Sequence, residues 1–300
     1  MVLAMISLVF ADTKSEVERL FQTASSGEIR FTKLVQPAKD SLAAMKDSAA
    51  KYLVSKLCTT DAREAQTLTE VYRGIGKAAT AYLIAALDTD NKYQLRSASR
   101  CLAEVKDSTA VDALLKAATN SDYTVRAEAL AAVGKSGGGA TTAKRLEPFF
   151  NDSIYSVRKS CVYGLGNLKS LASLDLLLRA LADSHFGVRL TAYDALVSFD
   201  SLAREKVAAL LDTVTVAPVT GLAIRLAGQL RIHKVETKIA SYLTDSNPLL
   251  RGWAVWSWGR LRGRAAAARL DELQKRESDL FVKSLLIDTR AYIDTLTSHE

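Results

Sequence analysis

The sequence predicts an all-α fold, a solenoid of stacked antiparallel helix pairs, and three observations carry that prediction. An arginine preceded by an apolar residue returns at Leu95-Arg96, Val125-Arg126, Val157-Arg158, Val188-Arg189 and Leu250-Arg251, in steps of 30, 32, 31 and 62 residues. The last step is two periods, with a decayed copy at Val219-Thr220 between them, and Val282-Lys283 follows one period after Arg251. The third position after each slot is small: Ser99, Ala129, Cys161, Ala192, Ala223 and Ala254. Apolar residues make up 48% of the chain but aromatics only 7%, which suits alanine- and leucine-packed helices. A fixed period in this range marks one supersecondary unit repeated along the chain.

The copy beginning at Val125 shows what one period contains. Val125, Ala129, Ala132 and Val133 recur at three- and four-residue spacing and mark one face of a helix. Gly134 and the run Gly137-Gly138-Gly139 are expected to stop it, because glycine accepts the left-handed turn that closes a helix. A second helix carries Ala143, Leu146, Phe149 and Phe150, and Asn151-Asp152-Ser153 caps the next one. No stretch sustains the two-residue alternation of a strand. Acidic residues recur before the arginines at Asp88, Asp90, Asp122, Asp152, Asp183 and Asp245, so that a ladder of acid–arginine pairs along the stack is expected. The predicted role of these arginines is structural.

The strings from Asp122 to Gly134 and from Asp152 to Gly166 carry an aspartate, Val-Arg, spaced small residues and a closing glycine. In this they resemble HEAT repeats, in particular the short bacterial variety also seen in phycobilisome lyase subunits. The resemblance covers at least residues 78–290, with Thr220 and the acid-poor turn before it as departures. It implies an armadillo/HEAT-like superhelix whose arginine-bearing helices line the concave surface. It says little about activity, since such folds host many functions.

Residues 1–11 are apolar apart from Ser7 and lack a basic start; a partial signal peptide cut before Asp12 and a hydrophobic first helix are both compatible with them. The signal reading places the protein in the periplasm or outside the cell; without it the expected location is cytoplasmic. Residues 12–50 read as an amphipathic helix (Val17, Leu20, Phe21) and a capping hairpin with Pro37 at a helix start, and residues 51–296 as the repeat array. Of the three cysteines, Cys58, Cys101 and Cys161, the last two are expected to be free and buried, because their helices, two repeats apart, lie beyond disulfide reach. The net charge of +7 permits an anionic partner without requiring one.

Motifs that carry chemistry are scarce. His185, His233 and His299 have no ligand spacing, and no Cys-x-x-Cys occurs, so no metal or cofactor is expected. Gly164 and Gly166 lack the strand–helix context of a nucleotide loop. What remains is the face at positions two and five after each arginine slot. Position five reads Cys101, Ala131, Tyr163, Asp194, Arg225, Trp256 and Asp288; position two adds Glu128, Thr191, Leu222 and Trp253. Trp258 is expected to face the core. Tryptophans on such a face either anchor a partner or fill space against a neighbouring helix. Arg260, Arg262 and Arg264 read as a basic loop, either solvated or able to hold a carboxylate or phosphate.

The expected function is therefore a non-enzymatic interaction scaffold that holds a protein or peptide on the concave face through Tyr163, Asp194, Arg225, Trp253 and Trp256. A nucleic-acid-binding role like that of the HEAT-like DNA glycosylases is the alternative. The acids mixed into the stripe make it a poor phosphate track. A pigment- or cofactor-handling role of the phycobilisome-lyase type ranks last.

Overall fold

The structure is a computed structural model that describes residues 2–296, with side chains from Thr13 onward. His299 and the side chains of the opening apolar run lie outside the described residues. No strand occurs among the described residues, and the fold is an all-α solenoid. The chain forms two compact units, Met1–Ser170 and Leu171–Glu300.

The first unit holds α1 (Val2–Ala24), α2 (Thr32–Ala44), α3 (Asp47–Leu53), α4 (Ala62–Ile75), α5 (Thr80–Ala85), α6 (Lys92–Val105), α7 (Val111–Ala117), α8 (Tyr123–Ser136), α9 (Gly139–Leu146) and α10 (Tyr155–Leu168). The second holds α11 (Leu174–Ala180), α12 (Phe186–Phe199), α13 (Arg204–Thr213), α14 (Ala217–Gln229), α15 (Glu236–Tyr242), α16 (Pro248–Arg262), α17 (Ala267–Gln274) and α18 (Leu280–Thr295). The helices that begin at the arginine slots form one layer in each unit, and shorter helices, most of them entered through 3-10 turns, form the other. Val17 and Phe21 of α1 are buried, as the amphipathic pattern requires. Pro37 sits inside α2 rather than at its start, because a 3-10 turn at Ile29–Phe31 has already begun the helical path.

The periodic arginines work as expected in kind but not in partner. All but Arg96 close their own turn through backbone carbonyls: Arg126 Nη1 donates to Asn120 O (3.0 Å) and Ser121 O (2.9 Å), and Arg251 Nη1 to Asp245 O (2.8 Å) and Ser246 O (3.0 Å). Arg158 and Arg189 do the same. The acid that an arginine meets belongs to the next repeat. Arg126 pairs with Asp152 at 2.9 Å and Arg251 with Glu277 at 2.8 Å. The turn acids also cap their own helices; Asp122, for example, accepts from Thr124 N at 2.8 Å. At the decayed copy, the Thr220 hydroxyl only bonds back to Val216 O.

All six small slots, from Ser99 to Ala254, are fully buried. The closest approaches between neighbouring long helices, however, are made at glycines. A Cβ built on Gly134 of α8 would lie 2.3 Å from Gly164 Cα of α10, and one on Gly259 of α16 only 2.1 Å from Thr289 Cγ2 of α18. Gly134 and Gly259 therefore lie within helices and stop neither. The stops are Gly137 and Gly263, whose φ values of 95° and 51° lie in the left-handed region. Where α12 presents Val197 at the position equivalent to Gly134, it meets α14 over a shorter stretch.

Candidate functional site

The long-helix layer of the second unit concentrates its aromatic and cationic side chains on α16, and helical spacing explains why. Trp253, Trp256 and Arg260 stand three and four residues apart and so share one face. All three are partly buried. Trp253 meets Trp256 edge-on, with centroids 6.3 Å apart, and meets Phe281 of α18 at 5.7 Å. Phe281 is itself exposed and covers Gly252, where no side chain stands in its way.

Two arginines are threaded through these rings. The Arg225 guanidinium lies 4.6 Å from the ring of Tyr193 on α12 and 4.6 Å from Trp253. Arg260 lies 4.2 Å from Trp256 and 5.2 Å from Tyr292 on α18. Stacking of this kind is worth about 0.5–2 kcal/mol per contact, depending on exposure. Among the described residues, neither guanidinium has a carboxylate partner or a hydrogen bond, and Arg225 Nε is buried without an acceptor. That separates them from Arg126 and Arg251, which are saturated by carbonyls and carboxylates. Burial pushes the Tyr193 phenol up from its ordinary pKa, while Arg225 and Arg260 both pull against it.

The other expected site residues are distributed as follows. Asp194 and Asp288 are exposed on α12 and α18, at the position that Arg225 and Trp256 occupy on α14 and α16. Tyr163 is exposed on α10 in the first unit. Cys101 is not part of an exposed stripe: it is buried beside Thr69, and desolvation raises its thiol pKa to about 12. Cys58, by contrast, is exposed, while Cys161 is buried and likewise pushed up to about 12. Trp258 is partly buried, with its indole nitrogen enclosed and unpaired.

The expected basic loop needs correction. Because Gly259 is a close-packing residue rather than a stop, α16 runs through to Arg262 and the three arginines take separate roles. Arg260 joins the rings, Arg262 pairs with Glu236 at 3.2 Å, and Arg264 donates to Leu296 O at 2.6 and 3.0 Å. Sequence reading missed Tyr193, Phe281 and Tyr292. Tyr292 was within reach, since it stands nine residues after Lys283 as Arg260 stands nine after Arg251. Equal positions in adjacent repeats face each other. No cluster of potential metal ligands occurs among the described residues, and none of their helices is long and apolar enough to cross a membrane.

Helix pairs repeated along the chain, each packed on its neighbours, define the class of α-solenoid repeat proteins. Residues 80–161 and 144–219 match the model of the HEAT repeats. Residues 80–219 of the chain are thus HEAT repeats. No curated protein matches it in sequence. Among solved structures it is similar to a chain of the Kap95:Nup1 complex, with a TM-score of 0.59 and 11% identity over 92% of this chain and 46% of that one. A homology model of the full-length AP-3 complex gives 0.55 and 12%, over 93% of this chain and 54% of that one. The Escherichia coli protein YibA gives 0.50 and 17%, over 84% of this chain and 96% of that one. At these identities the likeness shows the fold alone.

Proposed function

We propose that this chain is a non-enzymatic scaffold that holds a protein or peptide partner on the solvent side of its long-helix layers. In the second unit the binding residues are Asp194, Arg225, Trp253 and Trp256, on the face that the family resemblance assigns to the concave surface; in the first unit, taken by itself, the residue at the repeat position of Trp256 is Tyr163. The observation that carries this reading is the Trp253–Trp256–Phe281 cluster, large rings left partly open to solvent on a helix face. Rigid rings of this kind bury much area at small entropic cost, which is why they recur as anchors of protein interfaces. A nucleic-acid track is disfavoured by Asp194 and Asp288 on the same face.

Photo-crosslinking tests the reading. Benzoylphenylalanine at position 194 or 288 of the full chain should capture a discrete partner from the source cells, and Trp256→Ala in the same chain should abolish that capture. A crosslink from exposed position 202 with none from 194 or 288 would place the partner elsewhere and overturn the proposal. We further propose, from the apolar run at residues 1–11, that the protein is exported. Amino-terminal sequencing of the mature protein, beginning at Asp12, is the corresponding check.

A further inference from the structure

We infer that the segment this face receives is a short acidic one, whose carboxylates pair with Arg225 and Arg260 while its apolar side chains lie on the rings around them. The inference rests on the scaffold reading above and specifies the chemistry of its partner.

Many arginines of this chain meet an acid, but not all do: Arg96, like Arg225, has a buried Nε without an acceptor. Arg100, Arg126, Arg145, Arg251 and Arg262 each meet a carboxylate between 2.6 and 3.2 Å away. Arg225 and Arg260 do not, although both are partly buried and so have given up part of their hydration. A planar guanidinium stacked on a ring keeps its edge free, and that edge offers parallel N–H groups to a two-oxygen acceptor. The stacking on Tyr193 and Trp253, and on Trp256 and Tyr292, holds the two forks in place before any ligand arrives. Such preorganisation lowers the entropic cost of binding. The rings continue beyond the forks to Phe281, which is exposed.

Length and class of the ligand follow from the acids on either side. Asp194 and Asp288 occupy the flanking helices at the position Arg225 and Trp256 occupy between them. They repel a long polyanion that would cross the whole layer, and leave α14 and α16 to a short one. A peptide can place two carboxylates and then change charge; a nucleic-acid backbone carries charge at every step. The acidic peptide is therefore the better fit.

The reporter is built in, because Trp253, Trp256 and Trp258 are the only tryptophans of the chain. The full-length protein is titrated with an alternating glutamate–leucine decapeptide, with its glutamine–leucine counterpart and with decathymidylate, and tryptophan fluorescence is followed. The glutamate peptide is expected to bind about tenfold or more tightly than the glutamine peptide, with the difference shrinking as salt rises. Arg225→Gln with Arg260→Gln should erase that difference. Arg225→Lys with Arg260→Lys, which keeps the charge and loses the fork, should retain only part of it. Circular dichroism checks that each variant is folded, and Arg260→Gln alone serves if the double variant is not. Equal binding of the two peptides overturns the acidic assignment. If crosslinking from positions 194 and 288 still succeeds in that case, the docking face stands and only its charge preference has failed. Decathymidylate binding as tightly as the glutamate peptide, and lost in the same variants, would assign the face to single-stranded nucleic acid instead.

Discussion

Gly134 and Gly164 bring α8 and α10 into backbone contact: a methyl on Gly134 would stand 2.3 Å from Gly164 Cα and 2.6 Å from its carbonyl oxygen. The obstacle is main chain, so no rotamer change relieves it. Gly134→Ala should therefore cost about 1–3 kcal/mol in denaturant unfolding, although alanine is the better helix former. A neutral or stabilising result would show that the two helices are further apart.

Glu277 supplies an acid-sensitive contact. The Arg251 fork beside it, helped by the backbone N–H groups of Ser278 and Asp279, holds its carboxyl at a pKa of about 2 against an ordinary value of 4.5. A depressed folded-state pKa stabilises the folded chain above the unfolded value, and that stabilisation is lost as pH falls from about 4.5 towards 2. Glu277→Gln should lower stability at neutral pH by about 1.5–3 kcal/mol. It should also flatten the stability profile below pH 4.5 relative to the parent. A parallel profile in the two proteins would contradict the pairing.

Much of this was legible in the sequence, and the reason is geometric. In a stack, residues one period apart become neighbours, so Arg73–Glu104 and Lys39–Glu70, each 31 residues apart, are ion pairs. The small slots and the arginine slots follow from the same rule. Less legible was which glycine ends a helix and which admits a neighbour. Gly134 and Gly137 look alike in sequence, yet one is helical against the backbone of α10 and the other takes a left-handed φ with nothing opposite. Arg260 was misplaced for that reason, and Tyr193 and Tyr292 were missed because their role depends on the arginine of an adjacent helix. The exposure of Cys58 could not be read either, since it lies in the turn between α3 and α4 rather than on a periodic helix face.

Thiol labelling separates the three cysteines. In the native state a maleimide should modify Cys58 alone and quickly. Cys101 and Cys161 are enclosed, with thiol pKa values near 12, and should react only at the rate of unfolding. Two fast thiols in the native protein would contradict the burial of Cys101 or of Cys161.

The pairing of Arg260 with Trp256 can be isolated by a double-mutant cycle. Arg260→Ala, Trp256→Ala and the double variant should show a favourable coupling of about 0.5–2 kcal/mol in unfolding experiments. Additive effects would mean that the 4.2 Å contact contributes nothing to stability.

The claim on which the functional account depends is that a partner covers the aromatic face of α16 and α18. Hydroxyl-radical footprinting of the full chain, with and without the captured partner, addresses it directly, because aromatic side chains are readily oxidised. The account predicts that the partner protects Trp253, Trp256 and Phe281 while Phe186, exposed at the start of α12, stays reactive. Protection of Phe186 with undiminished oxidation of Trp253 and Trp256 would contradict it.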